Sequence, residues 1–332
     1  MTTRGTTIWY GSGHEAVDTH RIQSRAILLW MVTLGAFALL RLALPFHSTD
    51  TAVVHQRIVE ALQMSQLWGR QALIASLEFP TFVTICMVFA DQAARIVPVQ
   101  PAHLLVLCAQ TWTFFYLLRI PRNPKARLLT VVTFLAFLTS QEFRAVFLVD
   151  DPNWIAAVPV ASGLYHMIRW QQENSLRDAV LLAVCCGMLV FCGPVGIVVA
   201  LTLLGVGSLN IRRLPRLYDT QDMHGVNLLL WAPFCYCLAL LLLANWLIMR
   251  DGLFPFRKLA GVINPESLLE RPQHLLQVLS QLSWITWGGL AVALGCVIGR
   301  RKVAAEGLGA GLLALIGMQA LFLDGRGFGR AH

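Results

Sequence analysis

The chain has 332 residues, 56% hydrophobic and 13% charged, with a mean hydropathy of +0.62. A water-soluble protein carries about 25% charged residues, so this composition excludes an ordinary soluble globule; a bilayer, by contrast, needs no polar cover. The net charge of +8 is scattered over short segments without one basic face, which argues against a nucleic-acid partner and for basic cytoplasmic loops beside anionic lipid.

Residues 1–25 are polar, carry Arg4, His14, Arg21 and Arg25, and read as a cytoplasmic N-terminal segment. The first apolar run, Ala26–Phe46, is long enough to span and has no small-residue cleavage site after it, so it reads as an anchor and not as a cleaved signal. After the polar His47–Thr51, apolar Val53, Val54, Ile58, Ala61, Leu62 and Leu67 recur at helical spacing among His55, Arg57, Glu60 and Gln63. That pattern predicts an amphipathic helix on the outer membrane surface.

The segment 71–97 is apolar over Phe79–Ala90 but also holds Glu78, Pro80, Asp91 and Arg95, which do not suit lipid. Further spans are predicted at Ala102–Leu118, Leu128–Val149, Trp154–Ile168, Ala179–Phe191, Val195–Leu209, Val226–Met249, Leu279–Ile298 and Leu308–Leu323. If 71–97 does not cross, the basic loops Arg119–Arg127, Arg169–Arg177, Arg212–Arg216 and Arg300–Lys302 join the N-terminus in the cytoplasm; if it crosses, they all move outside. The positive-inside rule therefore favours a re-entrant or partly buried helix there. The expected fold is an all-α, multi-pass bundle of about nine spans, filling 26–323. Its outer face would carry interfacial helices within 47–101, a second loop at 250–278, and the tail 324–332. Trp154, Trp170, Trp246, Trp284 and Trp287 fall near span ends, as an aromatic belt would. The eight cysteines lie in or beside apolar runs without metal or redox spacing and read as small buried apolar residues.

The candidate chemistry lies on the outer face. Asp50 follows the first span, and Asp150 and Asp151 follow the span ending at Val149, so three carboxylates share one level. Such groups act as general bases or bind a divalent cation; solvated loop ends are the plainer reading. Arg144, beside Gln141 and Glu142 inside an apolar run, can bind a phosphate, pair with Glu142, or snorkel. Glu78 opens the helix that carries Pro80, and a dipole complement is its plainer reading. His47 and His55 flank Asp50 without a third metal ligand. Arg257 and Lys258 can draw an anionic substrate to the outer loop. His166, within an apolar span, reads as a hydrogen-bonded core residue. Nucleotide-phosphate loops and hydrolase motifs are absent.

The order of these features resembles the GT-C superfamily of integral membrane glycosyltransferases. The segments that carry the resemblance are Ser48-Thr49-Asp50, Ser76-Leu77-Glu78-Phe79-Pro80-Thr81-Phe82, Arg144 to Asp151, Trp154–Trp170, and Ser175-Leu176-Arg177-Asp178-Ala179. Asp50 stands as a lone acid, and Glu78 occupies the place where the family often has a basic residue. The resemblance implies hexosyl or pentosyl transfer from a polyprenyl-phosphate-sugar donor to a glycan, lipid or protein acceptor on the outer side of a bacterial plasma membrane. Asp50 would be the general base, Asp150 or Asp151 would orient the acceptor or hold a divalent cation, and Glu78, Arg144, His55, Arg257 and Lys258 would meet the substrates. The alternative is a non-enzymatic membrane protein, a transporter or a subunit of a larger complex, in which 71–97 lines a pathway.

Overall fold

A computed structural model describes residues 28–36, 38–39, 81–94, 101–120, 128, 131–132, 154–173, 175–213, 220–254 and 256. Among the described residues all regular structure is α-helical. Beyond a helical stretch over 28–36, the helices are α1 (Thr81–Ala94), α2 (Pro101–Arg119), α3 (Trp154–Glu173), α4 (Leu176–Val190), α5 (Gly193–Arg213) and α6 (Thr220–Met249). The last five fall on apolar runs marked by hydropathy, with α4 ending at Val190, one residue short of the expected Phe191. α3 runs on past Ile168 to Glu173, because the solvated Arg169–Glu173 pair at helical spacing continues the helix beyond its apolar part.

α4 is the centre of the bundle, packed against α3, α5 and α6. Its buried side chains recur at helical spacing: Ala179, Leu182, Ala183, Cys186, Leu189 and Val190. The residues it leaves exposed between them, Val180, Val184 and Met188, are apolar too. A soluble helix places charge along that face; here the exposed charge is confined to Arg177 in the first turn. Small residues let the helices approach closely. A Cβ on Gly187 would lie 3.1 Å from both the Pro233 carbonyl oxygen and Cys237 Sγ of α6. Gly207 of α5 makes room for Leu230 and for the ring of Trp170. That room corrects the placement of Trp170 in an aromatic belt: it is 3% exposed, a core residue.

Several polar groups inside the bundle are satisfied locally, whereas Thr84 Oγ1 and Asn245 Oδ1 are buried without a partner among the described residues. Thr111, Thr113 and Thr202 each donate to the carbonyl four residues back, as apolar surroundings demand. The Ser208 hydroxyl accepts from Trp231 Nε1 at 2.9 Å and donates to Asn227 Oδ1 at 2.8 Å, tying the end of α5 to the start of α6.

α1 is short, about 21 Å at 1.5 Å per residue. Its Val83 and Met87 pack with Leu105 and Ala109 of α2 and with Trp154, Ile155 and Ala156 of α3. These partners belong to the first halves of α2 and α3. The Phe82 N–H donates to the Phe191 carbonyl at 3.0 Å, so an orphan donor at the start of α1 meets an orphan acceptor just past α4. The starts of α1 and α3 and the end of α4 thus gather at one end of the bundle. At the other end, Arg119 lies over Tyr165, His166 meets Asp178, Trp170 meets Gly207, and Ser208 meets Asn227. Arg119, Arg169, Arg177, Arg212 and Arg213 all belong to the helix ends gathered there.

α6 is the one described helix long and apolar enough to cross a membrane, over His224–Met249, and 17% of its apolar window is buried. That run is about 39 Å long against a hydrocarbon core of about 30 Å. A core helix of a soluble protein would be mostly covered, whereas Leu228, Tyr236, Leu243, Trp246 and Leu247 are exposed. Cys235 is exposed on this helix as well, which corrects its reading as a buried residue; Cys237, two positions on, turns inward toward Gly187. All seven cysteines among the described residues are free thiols.

Candidate functional site

The charged centre of the described bundle lies where α2, α3 and α4 meet. α4 opens after Ser175, whose backbone is extended and whose side chain makes no cap bond. Asp178 falls in the first turn, where its charge complements the helix dipole. It is nevertheless turned into the core. His166 Nδ1 and Asp178 Oδ1 are 2.7 Å apart, with side chains 10% and 8% exposed. A hydrogen bond at this distance holds one proton between Nδ1 and Oδ1.

Two aromatic rings wall this pair. Tyr116 of α2 lies with its ring centroid 5.3 Å from that of Tyr165 and 6.0 Å from that of His166. Two guanidinium groups flank Tyr165. Arg119 lies 5.2 Å from its ring centroid and Arg169 lies 5.8 Å from it. Arg169 also donates to the Tyr165 hydroxyl at 3.1 Å and pairs with Glu173. Deeper along the same contact, Cys185 donates to the Ser162 hydroxyl at 3.3 Å. The arrangement locks the α3–α4 hairpin, positions a proton between His166 and Asp178, and presents cations at one end of the helices. Among the described residues no three His, Cys, Asp or Glu side chains come together as a metal site.

His166 is thus the hydrogen-bonded core residue that the sequence suggests. Its partner Asp178 is missed by sequence reasoning, and so is the aromatic–arginine wall. The signal that was available is the Arg169–Glu173 spacing, which extends α3 past its apolar stretch. Asp50, His55, Glu78, Arg144, Asp150, Asp151, Arg257 and Lys258, the residues singled out for outer-face chemistry, lie outside the described residues. So do His47, Cys296, Trp284 and Trp287, the two predicted spans after residue 278, and most of Leu128–Val149.

No protein-family model, curated protein or solved structure matches this chain.

Proposed function

We propose that the chain is a multi-pass membrane glycosyltransferase that moves a sugar from a polyprenyl-phosphate donor to an acceptor on the extracytoplasmic side. The membrane half of this reading is supported by the apolar outer faces of α4 and α6. Surfaces of that kind are stable against lipid and costly against water. Its orientation is supported by the arginines gathered at one set of helix ends, which the positive-inside rule assigns to the cytoplasm. The parallel course of α2 and α3 fits the span expected at Leu128–Val149, since parallel neighbours need a return segment between them. The packing of α1 against the first halves of α2 and α3 fits a helix that enters from the outer side and does not cross.

The observation that carries the transferase half is the order of the segments around Asp50, Glu78-Phe79-Pro80 and Arg144 to Asp151 along the chain. The helical frame is compatible with a shared outer face. α1 begins at Thr81, just after Glu78, and α3 begins at Trp154, just after Asp151; both helices start at the same end. On this reading Asp50 removes the proton from the acceptor hydroxyl. That oxygen bonds to the sugar's anomeric carbon as the carbon–oxygen bond to phosphate breaks. Arg144, with Arg257 and Lys258, takes up the charge of the departing polyprenyl phosphate. Asp150 or Asp151 orients the acceptor.

The test is transfer of labelled sugar in membranes carrying the wild type, Asp50→Asn or Asp50→Glu, across a panel of hexosyl and pentosyl lipid donors. Asp50→Asn is expected to lose transfer at unchanged protein level, with partial retention in Asp50→Glu. Full transfer by Asp50→Asn would remove Asp50 from the chemistry. No transfer by the wild type with any donor would leave the non-enzymatic reading.

A further inference from the structure

We infer that Arg119 is a binding site for the phosphate of an anionic lipid in the cytoplasmic leaflet, a site separate from the outer-face chemistry and resting on the membrane reading above. Asp178 is engaged by His166, and Glu173 is engaged by Arg169. Among the described residues that leaves Arg119 without an acidic partner and without a hydrogen-bond acceptor. It is half-buried, and a guanidinium held out of water without a counterion is unfavourable.

The place of Arg119 as the last residue of α2 accounts for part of its charge, since a cation complements that end of the dipole. Its geometry is not that of a capping group. Among the described residues the guanidinium donates to no terminal carbonyl, and it lies 5.2 Å from the ring centroids of both Phe115 and Tyr165. Contact with two rings holds the guanidinium in place, and its N–H donors, which meet no acceptor among the described residues, suit a ligand that accepts in a bidentate way. Phosphate oxygens fit that geometry. Trp112, exposed and two turns before Arg119 on α2, packs against Phe115, the ring beneath the guanidinium. A fixed cation beside apolar surface, at the end of the bundle rich in arginine, suits a headgroup phosphate with its acyl chains better than a free phosphate ion.

The test uses the full-length protein purified in detergent, with thermal unfolding and native mass spectrometry after adding phosphatidylglycerol, phosphatidylcholine or inorganic phosphate. Phosphatidylglycerol is expected to raise the unfolding temperature of the wild type, and the other two are expected not to. In Arg119→Gln the rise is lost, and the retained lipid dissociates about tenfold more readily, as for a lost charge-assisted bidentate contact. Arg119→Lys keeps the charge without the planar fork and is expected to lose most of the rise. It decides the matter if Arg119→Gln does not fold by circular dichroism. An unchanged phosphatidylglycerol response in either folded variant overturns the site. An equal response to inorganic phosphate or to phosphatidylcholine overturns its assignment to an anionic lipid. A chain recovered from cells without detergent overturns the membrane reading itself, whereas a detergent-extracted chain with an unaltered Arg119→Gln response overturns the site alone.

Discussion

Asp178→Ala is expected to destabilise the bundle by about 2–3 kcal/mol, measured as thermal unfolding in detergent. The upper part of the range for a buried donor left unsatisfied applies, because His166 Nδ1 loses the acceptor 2.7 Å away and neither side chain is more than 10% exposed. The larger loss of about 3–5 kcal/mol for a broken buried ion pair is an upper bound, since the imidazole can remain neutral. In a membrane the unfolded helices also find partners, which lowers the cost further. The double replacement His166→Leu with Asp178→Leu is expected to regain most of what either single change loses, because removing both polar partners leaves nothing unpaired. Equal stability of wild type and Asp178→Ala would show that the pair does not hold α3 to α4.

Gly196→Ala is expected to cost about 3 kcal/mol, at the severe end of overpacking in a closed contact. A Cβ there would lie far closer to the Leu189 carbonyl oxygen than van der Waals contact permits, and 2.9 Å from Cys192 Cβ. The obstructing oxygen belongs to the last turn of α4, so no flexible side chain can swing aside. The turn is already set by Gly193 at φ 83°, a conformation favouring glycine. Relief therefore requires α5 to move away from α4, opening the core around Leu189, Val190 and Cys192. Gly205, on the same helix, is the control. A Cβ there meets nothing within 4 Å, so Gly205→Ala is expected to stabilise α5 by up to about 1 kcal/mol. Similar melting of the two variants would contradict the close α4–α5 approach.

How far the sequence foretold this fold follows from what each signal measures. Apolar runs located α2 to α6, because a helix that buries most of its faces, against protein or lipid, must be apolar along its length. They did not locate the ends: α3 continues through Arg169 to Glu173, where polarity rises although the helix persists. Burial around each helix was harder to read. Where every face is apolar, periodicity does not separate core from lipid, and so Trp170 was assigned to a belt and Cys235 to the interior. The His166–Asp178 pair depends on how α3 and α4 cross, which no local pattern encodes. The candidate outer-face residues were chosen by their position relative to spans, and their side-chain geometry lies outside the described residues.

The central claim is that these helices cross a bilayer with the His166–Asp178 end in the cytoplasm. It is tested most directly by paired reporter fusions in a bacterial host. Green fluorescent protein fused after Arg213 is expected to fluoresce, while alkaline phosphatase fused there stays inactive; fused after Asp251, the phosphatase is expected to be active and the fluorescent protein dark. The reverse pattern, or the same compartment for both positions, would contradict the account.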